Sequence, residues 1–169
     1  MVDSHEKWMS LVIAAALFMS MLRMAYGETA QFKTTERFIS YLESQDVKYS
    51  YLTNTGDLEA VSVSSGLDNF ESVKCTLIFD ADLEQVGLRF WKVVKTSAGK
   101  NYILSVLNDL NSKNKFAKFV FDEDDSQIDV ELDMVITVDN CTSNVFDSML
   151  YLFAIIDEDD NAKQLKSLE

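Results

Sequence analysis

Residues 115–134 read KFAKFVFDEDDSQIDVELDM. Asp122, Glu123, Asp124 and Asp125 stand in a row, and Asp129, Glu131 and Asp133 follow at every second position. Clustered carboxylates attract hard divalent cations, so Asp122, Asp124 and Asp125 are the candidate ligands of a loosely held ion, in a sensor or a metal-dependent enzyme. A dedicated calcium loop of the EF-hand kind fits poorly. Counted from Asp122, it puts Gln127 where the sharp turn needs glycine and Asp133 where a bidentate glutamate belongs. Residues 128–138 also alternate as a strand, whereas a helix follows such a loop. The stretch reads more fully as a β-hairpin. Residues 122–127 are its polar loop, and Asp129, Glu131 and Asp133 form the solvent face of its second strand. Acids on that face discourage pairing with other chains and leave a negative surface that suits a basic partner. No dedicated metal site is expected.

Other chemistry is thin. The only histidine is His5, so the rest of the chain has no His-based triad and no imidazole general base. No G-x-S-x-G motif and no glycine-rich phosphate loop occurs. Two cysteines, Cys75 and Cys141, are too few for a four-ligand zinc site. Cys75 alternates with core residues and reads as a buried thiol; in an exported protein it could instead pair with Cys141. Asn140-Cys141-Thr142 fits the glycosylation pattern. Phe90, Trp91 and Tyr102 are the candidate partner-binding residues of an exposed apolar patch, with packing in the core as the competing reading. No catalytic residue and no cofactor is expected.

The totals narrow the function further. A net charge of −13 repels phosphate backbones and disfavours nucleic acid as a partner. Hydrophobic residues make up 47% of the chain, enough to bury a core, and 169 residues suit one domain. Proline is absent, in keeping with a chain made of regular elements.

The first 27 residues stand apart. Residues 9–22, MSLVIAAALFMSML, are apolar all round a helical wheel, without the polar stripe of a surface helix. Arg23 and then Ala25-Tyr26-Gly27 follow, small residues at the two positions a signal peptidase inspects. The segment reads as an exported leader, giving a periplasmic or secreted protein. An N-terminal helix buried in a homodimer or under the domain, with the chain cytoplasmic, and an uncleaved membrane anchor stay open beside it.

Periodicity places the rest. Thr34 or Thr35 caps a helix with Phe38, Ile39 and Leu42 inward. Strands follow at 48–52, after which Asn54-Thr55-Gly56-Asp57 turns the chain, and at 58–64. Val73, Cys75, Leu77 and Phe79 mark a third strand, and Val86, Leu88 and Phe90 a fourth. A helix opens at Thr96-Ser97 with Tyr102, Ile103, Val106, Leu107 and Leu110 inward. After the hairpin, Thr142 or Ser143 caps a last helix facing inward with Val145, Phe146, Met149, Leu150, Phe153 and Ile156. The domain spans 28–158, and 159–169 is a polar tail that frays. The order α-β-β-β-β-α-β-β-α predicts an α+β fold, an antiparallel sheet with helices packed on one face.

Three segments carry a resemblance: FISYLESQDVKYSY, VLNDLNSKNKFAKFVFDEDDSQIDVELDM and FDSMLYLFAIID. Together they resemble the YbjN-like bacterial proteins, described as sensory transduction regulators, whose fold is similar to the class I type III secretion chaperones. The most recognisable part runs from Leu107 to Asp133. The resemblance covers residues 33–158 and implies an α+β domain, often a homodimer, that binds protein partners and has no catalytic residues to carry over. An exported leader is not expected of a cytoplasmic secretion chaperone.

Overall fold

The computed structural model describes residues 30–169 apart from Thr55 and residues 81–83. The apolar run at 9–22, the leader boundary at residue 27 and His5 lie outside the described residues. The described chain forms α1 (Lys33–Ser44), β1 (Ser50–Asn54), β2 (Leu58–Ser65), β3 (Val73–Asp80), β4 (Gln85–Lys95), α2 (Lys100–Lys113), β5 (Lys118–Asp122), β6 (Gln127–Val135), α3 (Ser143–Asp157) and α4 (Asp159–Lys166). The expected α+β order is therefore present, with one more helix at the end.

The six strands make one antiparallel sheet in the order β1-β2-β3-β4-β6-β5. Paired residues of an antiparallel sheet point to the same face. The register lines up Val61, Leu77, Leu88 and Leu132 across four strands, with Phe79 opposite Val86 and Phe90 opposite Val130. These apolar rows meet the helices. Phe38 of α1 packs on Phe79 with ring centroids 5.6 Å apart, and Phe153 of α3 meets Phe90 edge-on at 4.9 Å. Ile103, Leu107 and Leu110 of α2 join the same core. The opposite face carries the row Ser50, Ser62, Thr76, Arg89, Glu131 and Lys118.

Two helix starts depart from the local capping signals, whereas α3 has Thr142 as its N-cap, as expected. Phe32, not a threonine, is the N-cap of α1. Glu59 of β2 supplies the acceptor there: its carboxylate takes the N–H groups of Gln31 at 2.6 Å and Phe32 at 3.1 Å. Gly99 caps α2, because the Thr96 hydroxyl is used elsewhere, donating to the Leu168 carbonyl while accepting the Ala98 N–H.

Those bonds explain the largest departure. Residues 159–169, expected to fray as a polar tail, instead hold α4 and dock. Ala162, Leu165 and Leu168 recur every third residue and are buried. The Ser97 hydroxyl donates to the Glu169 carbonyl at 3.0 Å. Asp159 and Asp160 in the first turn of α4, with Lys163 and Lys166 in the last, match the helix dipole. At the preceding helix end, the Asp157 carboxylate accepts the N–H groups of Asp68 and Asn69, which fixes the loop between β2 and β3. Among the described residues, no helix is long and apolar enough to cross a membrane.

Candidate functional site

The acidic stretch is a hairpin. β5 and β6 pair from Lys118 opposite Glu131 to Asp122 opposite Gln127. The turn holds itself together: Asp122 Oδ1 accepts the N–H groups of Asp124 at 3.0 Å and Asp125 at 3.4 Å. Local side-chain-to-backbone bonds of this kind are how aspartate builds turns. Lys100 pairs with Glu123. Asp122 is thus committed to its own turn, and among the described residues no group of three His, Cys, Asp or Glu is placed to hold a metal ion.

The alternating acids are not equally solvated. Asp133 is exposed and Glu131 half-buried, but Asp129 is buried, which corrects its expected place on the solvent face. The cause is a bulge in β4. Phe90 pairs with Val130 and Val94 with Ile128, so three β4 residues lie between partners that have only Asp129 between them. Lys92 takes a left-handed φ of 60° and gives its N–H to Asp129 Oδ1 at 2.9 Å. Burial raises the Asp129 pKa above the usual carboxylate range. The Lys92 N–H opposes that rise, while Asp122, Glu131 and Asp125 add to it.

Arg89 gathers the other two acids. Its guanidinium meets Asp133 at 2.6 Å, with Glu131 at 4.0 Å, and donates to the carbonyls of Leu88 and Leu132. It lies across Gly87, where an added Cβ would come within 3.1 Å of the guanidinium carbon. Glycine at 87 therefore leaves room for Arg89 to fold over the sheet.

Glu59 is the buried acid with the opposite outcome. Burial alone would raise its pKa. The N–H of Gln31, the Tyr51 hydroxyl at 2.7 Å and the Phe32 N–H outweigh burial and hold it below the usual range. Both cysteines are buried free thiols, pushed up by burial, and the Cys141 thiol donates to the Val138 carbonyl at 3.3 Å. At the glycosylation pattern, Asn140 Oδ1 accepts the Thr137 N–H at 2.6 Å.

The three aromatic candidates separate. Phe90 is 0% exposed and packed on Phe153, so it belongs to the core and presents no surface to a partner. Trp91, at the start of the bulge, is 46% exposed, and Tyr102 is 52% exposed. The inward stripe of α2 is Ile103, Leu107 and Leu110, which rolls Tyr102 outward, where its hydroxyl lies 3.2 Å from Ser167 Oγ. Trp91 and Tyr102 sit on different elements, and the structure does not gather the three into one patch.

A feature with no sequence signal of its own lies at the far margin of the sheet. β5 starts at Lys118, opposite Glu131, while β6 runs on to Val135 with only β4 beside it. The space β5 leaves is a cleft of about 470 Å³ lined by Asn111, Asn114, Lys115, Phe116, Leu132 and Asp133 among others. Phe116 is 71% exposed, and Val135, two residues beyond Asp133, is 73% exposed. In sequence, Phe116 is one apolar residue before β5, and Val135 is one position in the alternation of residues 128–138. Only the unequal lengths of β5 and β6, set in three dimensions, leave both in water. Comparison of the chain with protein-family models, with curated proteins and with solved structures gave no match.

Proposed function

We propose that this chain is a non-enzymatic protein-binding domain, an adaptor or chaperone-like regulator that holds a partner through apolar side chains at the open sheet margin. The observation that carries this reading is the pair Phe116 and Val135, the two most exposed of the large apolar side chains among the described residues, beside the cleft at the end of β6. Fully burying one such side chain contributes about 1.5–3 kcal/mol, so a partner that covers both gains much of a binding energy. The resemblance to the YbjN-like proteins points the same way, towards a partner-binding domain and a homodimer. The local use of Asp122 in its own turn favours this reading over an ion-binding loop.

The test is gentle purification of the full chain from its own host, with co-purifying proteins and the first residue of the mature chain read by mass spectrometry. A stoichiometric partner that is lost when Phe116→Ser and Val135→Ser are combined is the expected result. A chain that comes through without any stoichiometric partner sinks the reading. The same spectra place the protein. A start near Glu28 goes with export, and a start at Met1 goes with a cytoplasmic adaptor.

A further inference from the structure

The main-chain geometry of the margin specifies how a partner attaches. The Asn111 side chain accepts the Phe119 N–H at 2.7 Å and donates to the Phe119 carbonyl at 3.0 Å. Both main-chain groups of Phe119 therefore point away from β6. Since these groups alternate sides along a strand, Lys118, Val120 and Asp122 are the β5 residues that bond to β6. Their partners are Glu131, Asp129 and Gln127. The odd-numbered residues of β6 thus turn their main chain towards β5, and the even-numbered ones towards β4. Bonds at the two ends of β6 agree: Ser126 accepts the Thr96 N–H, and Ile136 donates to the Glu84 carbonyl. Beyond Glu131, the N–H and C=O of Asp133, which lines the cleft, and of Val135 turn to the side where β5 has already ended. No strand among the described residues pairs with them on that side.

We propose that this edge accepts an extended segment of a partner protein as an added strand, with an apolar side chain set on Phe116 and a carboxylate directed to Lys115. The proposal rests on the protein-binding reading and gives its chemistry. A row of strand groups pointing into a cleft is complementary to extended backbone, and alternate side chains then supply selectivity. Charge at the cleft selects the acid. Asp133 is taken by Arg89 at 2.6 Å, with Glu131 at 4.0 Å from the same guanidinium. Lys115 and Lys118 have no ion pair among the described residues. The chain as a whole is acidic, but charges beyond a screening length of about 8 Å count for little, and at the cleft Arg89 offsets one of the two acids, Glu131 and Asp133, so that Lys115 and Lys118 leave the balance positive by one.

The probe is a blocked peptide of about six residues alternating glutamate and valine, long enough to span both open positions. It is titrated against the full chain by fluorescence anisotropy, with amide hydrogen exchange followed by NMR. Saturable binding is expected, with exchange at Asp133 and Val135 slowed at least about tenfold. N-methylation of alternate peptide nitrogens, in the set that faces the margin, should weaken binding about tenfold or more, since the hydrogen bonds to Asp133 and Val135 are lost. Phe116→Ala, at an exposed position, should fold normally and weaken binding about threefold or more. A lysine–valine peptide should bind more weakly than the glutamate–valine one.

Absence of saturable binding overturns the proposal. So does binding that leaves Asp133 and Val135 unprotected or that ignores N-methylation. If a stoichiometric partner still co-purifies in that case, the protein-binding reading stands and only the strand-edge mode fails. If neither partner nor probe binds, both fail.

Discussion

The outer margin of the sheet changes character within a few residues. At Phe119 the outward N–H and C=O are both taken by the side chain of Asn111, so a helix closes the strand edge. At Asp133, in the lining of the cleft, and at Val135 beyond it, the same kind of groups turn to a side where no strand is paired among the described residues. An exposed edge invites pairing, and proteins cover it where pairing is unwanted. Here one asparagine on α2 closes one stretch, and the neighbouring stretch has no such cover. The opposite margin is managed differently: the register of β1 against β2 shifts between Tyr51 and Thr53, and a bulge of this kind twists an edge away from partners. Against two treated margins, the open end of β6 stands out as a place to receive a strand.

Five substitutions sharpen the contrast between groups satisfied within the fold and groups left for a partner. The largest effect is expected at Phe90, wholly inside the core. Phe90→Ala should cost about 3–5 kcal/mol of stability, whereas Trp91→Ala next to it should stay within about 1 kcal/mol. Urea denaturation of both variants measures this, and equal losses would contradict the assignment of one to the core and one to the surface.

Next comes Glu59. Replacing it by glutamine leaves the main-chain donors at the entry to α1 without an ionised acceptor and should cost about 1–3 kcal/mol at neutral pH. Its folded pKa is lowered, so the ionised form stabilises the fold above the unfolded value of about 4.3. That contribution fades as pH falls through the lower folded value. The gap between wild type and Glu59→Gln should therefore close on acidification, and stability curves that stay parallel down to about pH 2 would contradict it.

Asn111→Ala should cost about 1–2 kcal/mol and, more tellingly, open the edge at Phe119 to pairing. Light scattering at rising concentration should show more association than wild type does. A variant as monodisperse as wild type would mean that Asn111 does not guard the edge.

The smallest effect belongs to Asp129, whose folded pKa is raised chiefly by burial. The sign is opposite to Glu59. Ionised Asp129 is disfavoured by the fold above its folded pKa, and protonation on acidification relieves this. Asp129→Asn at neutral pH should be neutral or slightly stabilising, within about 1 kcal/mol, and thermal unfolding across the acidic range should show the difference shrinking as pH falls. A large loss at neutral pH would mean that the Lys92 bond to the ionised carboxylate matters more than its burial.

The two carboxylates also show what the sequence could and could not reveal. Alternation from Ile128 to Val138 placed Asp129 on the face away from the apolar residues, and that face is correct. The burial came from Lys92, far off in sequence, folded over it by a bulge that no local pattern marks. Glu59 sits in a strand whose pattern was legible, yet its role depends on Gln31 and Phe32, which only the fold brings near. For the same reason Thr34 and Thr35 looked like caps and were not needed. The apolar face of α1, most of that of α3 and the hairpin itself were readable because periodicity is local, but Leu150, expected inward on α3, is 47% exposed, while Leu152 and Ile155 are buried. Tyr102 was misplaced by one step on the wheel of α2, since Ile103, Leu107 and Leu110 make the buried stripe, with Val106 half-buried against the core as expected. The end of the chain held a signal that its acids obscured: Ala162, Leu165 and Leu168 are spaced as a helix face inside a polar stretch. The cleft had no sequence signature, because it arises from the difference in length between two paired strands.

The most direct test of the open margin is amide hydrogen exchange of the full chain alone, resolved residue by residue by NMR. If Asn111 closes the edge and β6 runs past it, Phe119, Leu132 and Met134 exchange slowly, and Asp133 and Val135 exchange fast between them. Asp133 and Val135 as slow as Phe119 in the monomeric chain would mean that the margin is already closed, and the site proposed for an added strand would not exist.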